Sequence, residues 1–265
     1  MAAKRMPVLA GVLREQRRQV AVWCLTLASL SAMYISFYPS MGGTGMQDLV
    51  DNMPEQLSTA LGYDRLGTAA GWLTSTIYAF VVPVLLLVFA IATGSRLIAG
   101  DEESGDLELE AAAPLSRRQI LIQRLLALWL ATLTLVVTVT LVSYALVLAL
   151  DMGIRVGNII AASTGLLLLV IGMGTVALAV GAVTGRRAIA LGATAGLAVL
   201  AYVLDALGRV AQASWMNAIS PFSWYLEHEP LTNGFDLRGI VLLAAVPIVA
   251  TAGALFQFNR RDLMV

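Results

Sequence analysis

The chain has 265 residues, of which 58% are hydrophobic and only 13% charged, about half the charged share usual in soluble globular domains. That composition points to a membrane protein. A formal net charge of zero, with no arginine-rich tail or zinc-knuckle spacing, excludes nucleic acid as a partner, and a single cysteine and a single histidine exclude an intrachain disulfide and leave little for a metal cluster.

The opening segment, MAAKRMPVLAGVLREQRRQV, is basic and amphipathic from Lys4 to Arg18. The apolar run behind it has no small-residue cleavage site, so it reads as a retained anchor, with Cys24 as a small buried hydrophobe inside it. A helix needs about 20 apolar residues to cross a hydrocarbon core. Six stretches qualify, at approximately 20–38, 72–99, 120–150, 158–184, 188–207 and 239–258. The second and third exceed the need, which predicts tilt or projection into the cytosol.

Between the first two spans, Asp48, Asp51, Glu55 and Asp64 alternate with Met53, Leu57, Leu61 and Leu66 at near-helical spacing. This predicts a short amphipathic helix, either on the outer membrane surface or as a solvated loop helix. After the second span comes GDEESGDLELEAAAPLSRRQI, residues 100–120, with acids at Asp101, Glu102, Glu103, Asp106, Glu108 and Glu110. Two short helices joined at Pro114 account for it, Ser116 capping the helix that becomes the third span. On residue types alone, a solvated loop would fit as well.

In the fourth and fifth spans, Gly181 with Gly185 and Gly192 with Gly196 form small-xxx-small pairs expected to face protein. The glycine-bearing GMGTVALAVG, residues 172–181, has no preceding strand and no following Lys-Ser/Thr, so it is no nucleotide loop; no Walker motif occurs anywhere. Asp205, near the end of the fifth span, stands four residues before Arg209 in the favourable acid-first order, as a structural pair at the outer interface or as part of an outer gate. Beyond it, the segment from Arg209 to Arg238 contains SPFSWYLEHEPLTNGFD, where prolines, Asn233 and Gly234 break helical continuity, and reads as a broken or re-entrant element. There Glu227 and Glu229 flank His228 and could bind a cation or simply be solvated.

Orientation follows from the basic residues. Lys4, Arg5, Arg14, Arg17, Arg18, Arg96, Arg117, Arg118, Arg124, Arg186, Arg187, Arg260 and Arg261 fall on one side, and only Arg65, Arg155, Arg209 and Arg238 on the other. The positive-inside bias places both termini and the acidic loop in the cytosol. The spans lack any Ser/His or paired-aspartate constellation, which argues against an intramembrane enzyme.

Glu102 and Glu103, Gly105, Leu107, Glu108, Leu109, Pro114, Ser116 and Arg117 resemble, in order and spacing, the cytoplasmic loop of ABC-2 type transporter permeases, an acid-rich run followed by Gly-x-Leu-Glu and Pro-Leu/Val-Ser-Arg. Ser104 departs from the arginine or long polar residue frequent before that glycine. Segments 53–73 and 220–234 resemble outer segments of small actinobacterial and archaeal-type permeases of the same class.

The resemblance implies an all-α polytopic protein, one transmembrane domain over residues 1–265. It would have six transmembrane helices, an N-terminal connecting helix carrying Arg14, Arg17 and Arg18 along the cytosolic membrane surface, and a coupling helix between spans 2 and 3. It implies a multi-pass plasma-membrane subunit without its own ATPase site and without a bound cofactor, ATP and Mg2+ residing on two copies of a separate ATP-binding subunit. A second permease, identical or related, completes the dimer. The pathway is expected at the dimer interface along spans 2 and 5, with Thr74, Thr76, Tyr78, Phe80, Leu197, Leu200 and Leu204 as candidates and Asp205 at its outer gate. Few charges inside the spans favour a hydrophobic or amphipathic cargo, a drug, antibiotic or lipid, exported outward. The alternative within the same assembly is a subunit that transmits force or senses a ligand without moving substrate.

Overall fold

A computed structural model describes residues 6–41, 52, 54, 67–105 and 116–258. The described residues contain no strand. In chain order the helices are α1 (Pro7–Ser36), α2 (Ala69–Glu103), α3 (Arg117–Ala149), α4 (Val156–Thr184), α5 (Arg187–Val210), the short α6 (Ser214–Ile219), α7 (Pro221–Leu226) and α8 (Pro230–Asn233), and α9 (Leu237–Phe258). One further turn of helix, Tyr38–Met41, follows α1. Helices α1 to α5 and α9 are long and apolar enough to cross a membrane, in the six places read from the sequence. The amphipathic segment expected between spans 1 and 2 lies almost wholly outside the described residues.

The basic segment at the start does not form a separate surface helix. From Pro7 to Ser36 the backbone runs as one unbroken α-helix, so the expected connecting helix is the N-terminal part of the helix that forms span 1. After Gly11 the segment holds neither glycine nor proline to bend it at the membrane boundary. Val8, Val12 and Gln16, four residues apart, are buried, and the two valines pack in a second apolar cluster with Leu97, Ile98, Leu121, Leu125 and Leu178. The Leu9 N–H, one of the donors a helix start leaves without an internal partner, donates to Gln123 Oε1 at 3.2 Å.

Helices α2 and α4 form the enclosed centre of the bundle, while α1, α5 and α9 keep most of their surface outward. Close approach replaces hydrophobic drive where lipid surrounds the helices. A Cβ at Gly94 of α2 would run into the backbone carbonyl oxygen of Gly174 of α4, and one at Gly174 would lie 3.1 Å from Ala90 Cβ. Gly172, on another face of α4, meets Val246 of α9, so GMGTVALAVG is helix interior. Gly181 packs on Ala99 and Ala190 as expected, whereas Gly185 is the left-handed residue that ends α4, with φ of 63°. A Cβ added at Gly192 or Gly196 would meet nothing within 4 Å, and both are exposed, so they do not pack inside this chain as expected.

Two stretches of α2 wind as π-helix, Thr74–Val81 and Arg96–Gly100. Pro83 has no N–H to close on Ala79, and the first widened stretch lies immediately before it. Residues 209–238 are broken as expected: α6, α7 and α8 are three short helices, and Tyr225 of α7 lies against Gly165. Gly165 is nine residues into α4, roughly 14 Å from its outer start at 1.5 Å per residue. Ser220 Oγ donates to the Ala201 carbonyl at 2.7 Å, and Asn158 Nδ2 to the Leu231 and Thr232 carbonyls at 2.9 Å each, fixing this element to α5 and α4.

The α2–α4 crossing yields a contrast. Gly94→Ala is expected to destabilise the detergent-solubilised protein by about 1–3 kcal/mol through overpacking. Gly253→Ala, on an open face of α9, should be neutral or stabilising by up to about 1 kcal/mol. Thermal unfolding of the two variants checks this, and similar shifts in both would contradict the crossing.

Candidate functional site

At the end of the bundle where α1 begins, the acidic stretch starts as the last turn of α2. Asp101, Glu102 and Glu103 form that turn, and Ser104 and Gly105 leave it, Gly105 with φ of 81°. This is the left-handed region that costs glycine nothing and other residues about 1 kcal/mol or more. A Cβ there would meet no neighbour within 4 Å, so the backbone conformation alone selects glycine. Leu107, Glu108, Leu109 and Pro114 lie outside the described residues. Ser116 does cap α3: its Oγ accepts from the Gln119 N–H at 3.3 Å, and Gln119 Oε1 accepts from the Ser116 N–H at 2.9 Å. This reciprocal pair is a capping box. Arg117 supplies the first helical residue after it.

Contacts made by Arg124, Glu103 and Arg96 tie the base of the loop to the bundle. Arg124, two turns into α3 and only 1% exposed, pairs through Nη1 with Asp101 Oδ2 at 2.6 Å and also donates to the Leu97 carbonyl. That carbonyl belongs to the second π-helical stretch of α2. Next to it, Glu103 Oε1 accepts the backbone N–H of Arg187 at 2.9 Å. Arg187 is the first residue of α5, so Glu103 caps another helix's N-terminus from a distance and places a carboxylate at the positive end of its dipole. Arg96 completes the set through a 3.1 Å pair with Glu15 of α1, both partly or largely exposed, which is worth at most about 1 kcal/mol.

Arg14, Arg17 and Arg18 are exposed on the N-terminal part of α1, and their i, i+3, i+4 spacing puts them on one face. Arg124 was visible in the sequence only as one more basic residue on the inner side. Its signal was that it lies inside the apolar run of α3, where a charge needs a named partner. Gln123 and Arg187 gave no local signal, since each acts through an atom contacted across the bundle.

At the outer end, the Asp205–Arg209 pair forms as the spacing predicts, Arg209 Nη2 donating to Asp205 Oδ2 at 2.7 Å. Ser223 Oγ of α7 donates to the other oxygen, Oδ1, at 2.7 Å. Asp205 is 3% exposed and its carboxylate is doubly satisfied, as a buried charge must be. Ser223 was not foreseen because only the re-entrant path brings it there. These residues line a cavity of about 310 Å³ together with Thr68, Thr74, Ser75, Asn217, Glu227 and Glu229.

The pathway candidates divide. Phe80, Leu197 and Leu200 are exposed on the outside of the bundle, and Leu204 is half-buried. The Phe80 ring lies 5.9 Å from Tyr202, which stacks edge-on against Phe222 at 5.3 Å. Thr74 and Thr76 bond back to the Ala70 and Trp72 carbonyls of their own helix. Tyr78 faces inward, 1% exposed, its hydroxyl 3.2 Å from Ser163 Oγ of α4.

A family model described as "ABC-2 family transporter protein" matches residues 6–263. No curated protein matches the chain.

The clamp at Arg124 has a defined asymmetry. Asp101→Ala leaves a nearly inaccessible cation without its carboxylate and is expected to cost about 3 kcal/mol, whereas Arg124→Met leaves an aspartate that water can reach and should cost only about 1 kcal/mol. Thermal unfolding of the two single variants checks the order, and a larger loss in Arg124→Met would contradict it.

Proposed function

The chain belongs to the ABC-2 transporter family and is a multi-pass membrane permease component of an ABC transporter, a class that works with an ABC ATP-binding subunit. From that premise we propose that it is the exporting subunit of such an assembly, moving a hydrophobic or amphipathic compound outward when two ATP-binding subunits close beneath it. The observation that carries this reading is the double anchorage of the loop base, Asp101 on Arg124 of α3 and Glu103 on the start of α5. A displacement of residues 100–118 is delivered to two spans at once. The motor's push reaches α5 at its capped end and, through one continuous helix, the Asp205 cluster at the other.

In this mechanism the chain breaks no bond. ATP and Mg2+ act on the partner subunit, and ATP binding shifts the balance between inward-facing and outward-facing arrangements. Glu102, Glu103, Gly105, Leu107, Glu108, Leu109, Pro114, Ser116 and Arg117 form the surface offered to the motor, and the exposed arginines Arg14, Arg17 and Arg18 lie on the same side of the membrane. Two permeases make the pathway. The exposed strip of Phe80, Leu197 and Leu200 on α2 and α5, with the open glycines Gly192 and Gly196, suits the face where a second copy or a related chain closes on it.

The reading is tested by purifying the chain with its ATP-binding subunit, placing the complex in vesicles and following ATP-dependent movement of a panel of lipophilic compounds. Export of at least one compound is expected. Robust hydrolysis with none moved would instead favour force transmission, and failure of any ATPase to co-purify would overturn both. Within that assay, Glu103→Lys removes the cap and puts a cation at the positive end of α5, and Gly105→Leu forces the left-handed turn. Each should lower transport about five- to thirtyfold with membrane insertion unchanged, from a local cost of about 1–2 kcal/mol. Unaltered transport in both would reduce the stretch to a solvated loop.

A further inference from the structure

Helices α4 and α9 run side by side in the same direction. Asn158, near the start of α4, bonds the carbonyls of Leu231 and Thr232, 73 and 74 residues on, and Gly172 meets Val246 at the same separation, with 3.3 Å between a Cβ there and Val246 Cγ1. Thr184, the last residue of α4, is therefore level with Gln257. Along the outside of this pair runs a groove of about 840 Å³. Ala254 is buried beneath it, Val183 and Val249 stand exposed at its sides, and a Cβ at Gly253 would meet nothing within 4 Å. From Leu242 to Gln257 the α9 lining covers roughly 22 Å at 1.5 Å per residue. One leaflet is half of a hydrocarbon core about 30 Å thick, so the groove is long enough for a lipid chain.

The lining is apolar except at its ends. Trp224, whose Nε1 donates to the Ala218 carbonyl, lines the end where α9 starts, while Thr184 and Gln257 share the other. The Thr184 hydroxyl is already committed, donating to the Val180 carbonyl at 2.8 Å and accepting the Arg186 N–H at 3.3 Å. That second bond places the Arg186 backbone at the mouth of the groove. The Arg186 guanidinium is exposed, and neither it nor the exposed Gln257 amide forms a hydrogen bond or ion pair among the described residues. The carboxylate of Glu103 is close by, but it is engaged with the Arg187 N–H at 2.9 Å. An apolar groove between two spans thus opens on one uncommitted cation and an uncommitted amide, the arrangement that takes an anionic lipid headgroup.

We propose that the groove between α4 and α9 holds one chain of an anionic phospholipid of the surrounding bilayer, its phosphate at the mouth against the Arg186 guanidinium and the Gln257 amide. Both groups are donors, and a phosphate supplies the acceptors and the opposite charge. A second copy closing on this face would instead bring an identical arginine to the same level of the membrane. The small residues are also sunk between exposed valines, which suits a single chain better than the close backbone approach of another helix. The site requires neither a motor nor a second permease, so it stands or falls separately from the export reading.

The test is native mass spectrometry of the purified full chain in detergent micelles, titrated with phosphatidylglycerol or with phosphatidylcholine carrying the same chains. Phosphatidylglycerol should bind saturably at one per chain, about fivefold tighter than phosphatidylcholine, the increment expected for one arginine against a net negative headgroup. Arg186→Gln, at an exposed position, should weaken phosphatidylglycerol about fivefold and leave phosphatidylcholine unchanged. Arg155→Gln, also exposed but at the far end of α4, should change neither. Gly253→Leu fills the groove where there is open space and should weaken both lipids about tenfold by steric exclusion. Equal binding of the two lipids, an equal loss in Arg155→Gln, or unchanged binding in Gly253→Leu would overturn the proposal. Conversion of a dimer to a monomer by Gly253→Leu with lipid binding unaltered would give the face to a second copy and overturn it as well.

Discussion

A guanidinium cannot be left unpaired among apolar side chains, and in this protein that constraint falls on Arg124. The residue is nearly inaccessible, two turns inside α3, between Leu121, Leu125 and Leu128 in the sequence, which share an apolar cluster with Leu97 and Ile98 of α2. Its charge is met by Asp101 and by the Leu97 carbonyl. Both belong to the last turns of α2, so α2 has to end where those groups reach α3. Its π-helical turn over Arg96–Gly100 is the local distortion that accompanies this arrangement. Once Asp101 is fixed, Glu103 two residues later falls at the start of α5, and the cap on Arg187 follows. The acid-rich loop thus leaves the membrane from a clamped base.

Helix α5 connects the two ends of the molecule. Its 24 residues span roughly 36 Å at 1.5 Å per residue, from the Glu103 cap inside to the Asp205–Arg209–Ser223 cluster outside. At neither end does it terminate freely. The inner end is held by a carboxylate from α2, and the outer end by a hydroxyl from the re-entrant helix α7. Few of its residues are buried between those two points. A helix gripped at its ends and lightly packed along its length can shift as a body, the kind of motion by which packed helices transmit a switch.

Much of this was legible in the sequence wherever the cause was local. Span positions follow from apolar length, the cap of α3 from Ser116, and the ion pair of α5 from the four-residue spacing of Asp205 and Arg209. The broken path of residues 209–238 follows from its prolines and Asn-Gly step. What the sequence did not reveal depends on contacts between distant elements. Ser223 reaches Asp205 only because α7 dips back between α4 and α5. Gln123 and Arg187 matter through atoms that meet α1 and α2 across the bundle. The π-helical turns leave the apolar pattern of α2 almost unchanged and so had no signature beyond Pro83. The basic amphipathic start pointed to a surface helix, but with no breaker between Arg18 and the apolar run, nothing stops the helix from continuing. The glycines of α5 looked like packing sites, and within one chain they are open surface.

The coupling we propose requires the loop base and α5 to move as one unit when the motor acts, and joining them covalently in the assembled transporter tests this most directly. Cysteines replace Glu103 and Arg187 in a Cys24→Ser background, a short bis-maleimide links them, and ATP-driven transport is compared before and after linking with the same double variant unlinked. If the two elements move together, the link restores or preserves transport lost with the Glu103 cap. If linking instead abolishes the transport that remains in the unlinked variant, the loop must slide against α5 during the cycle, and a rigid connection between them is contradicted.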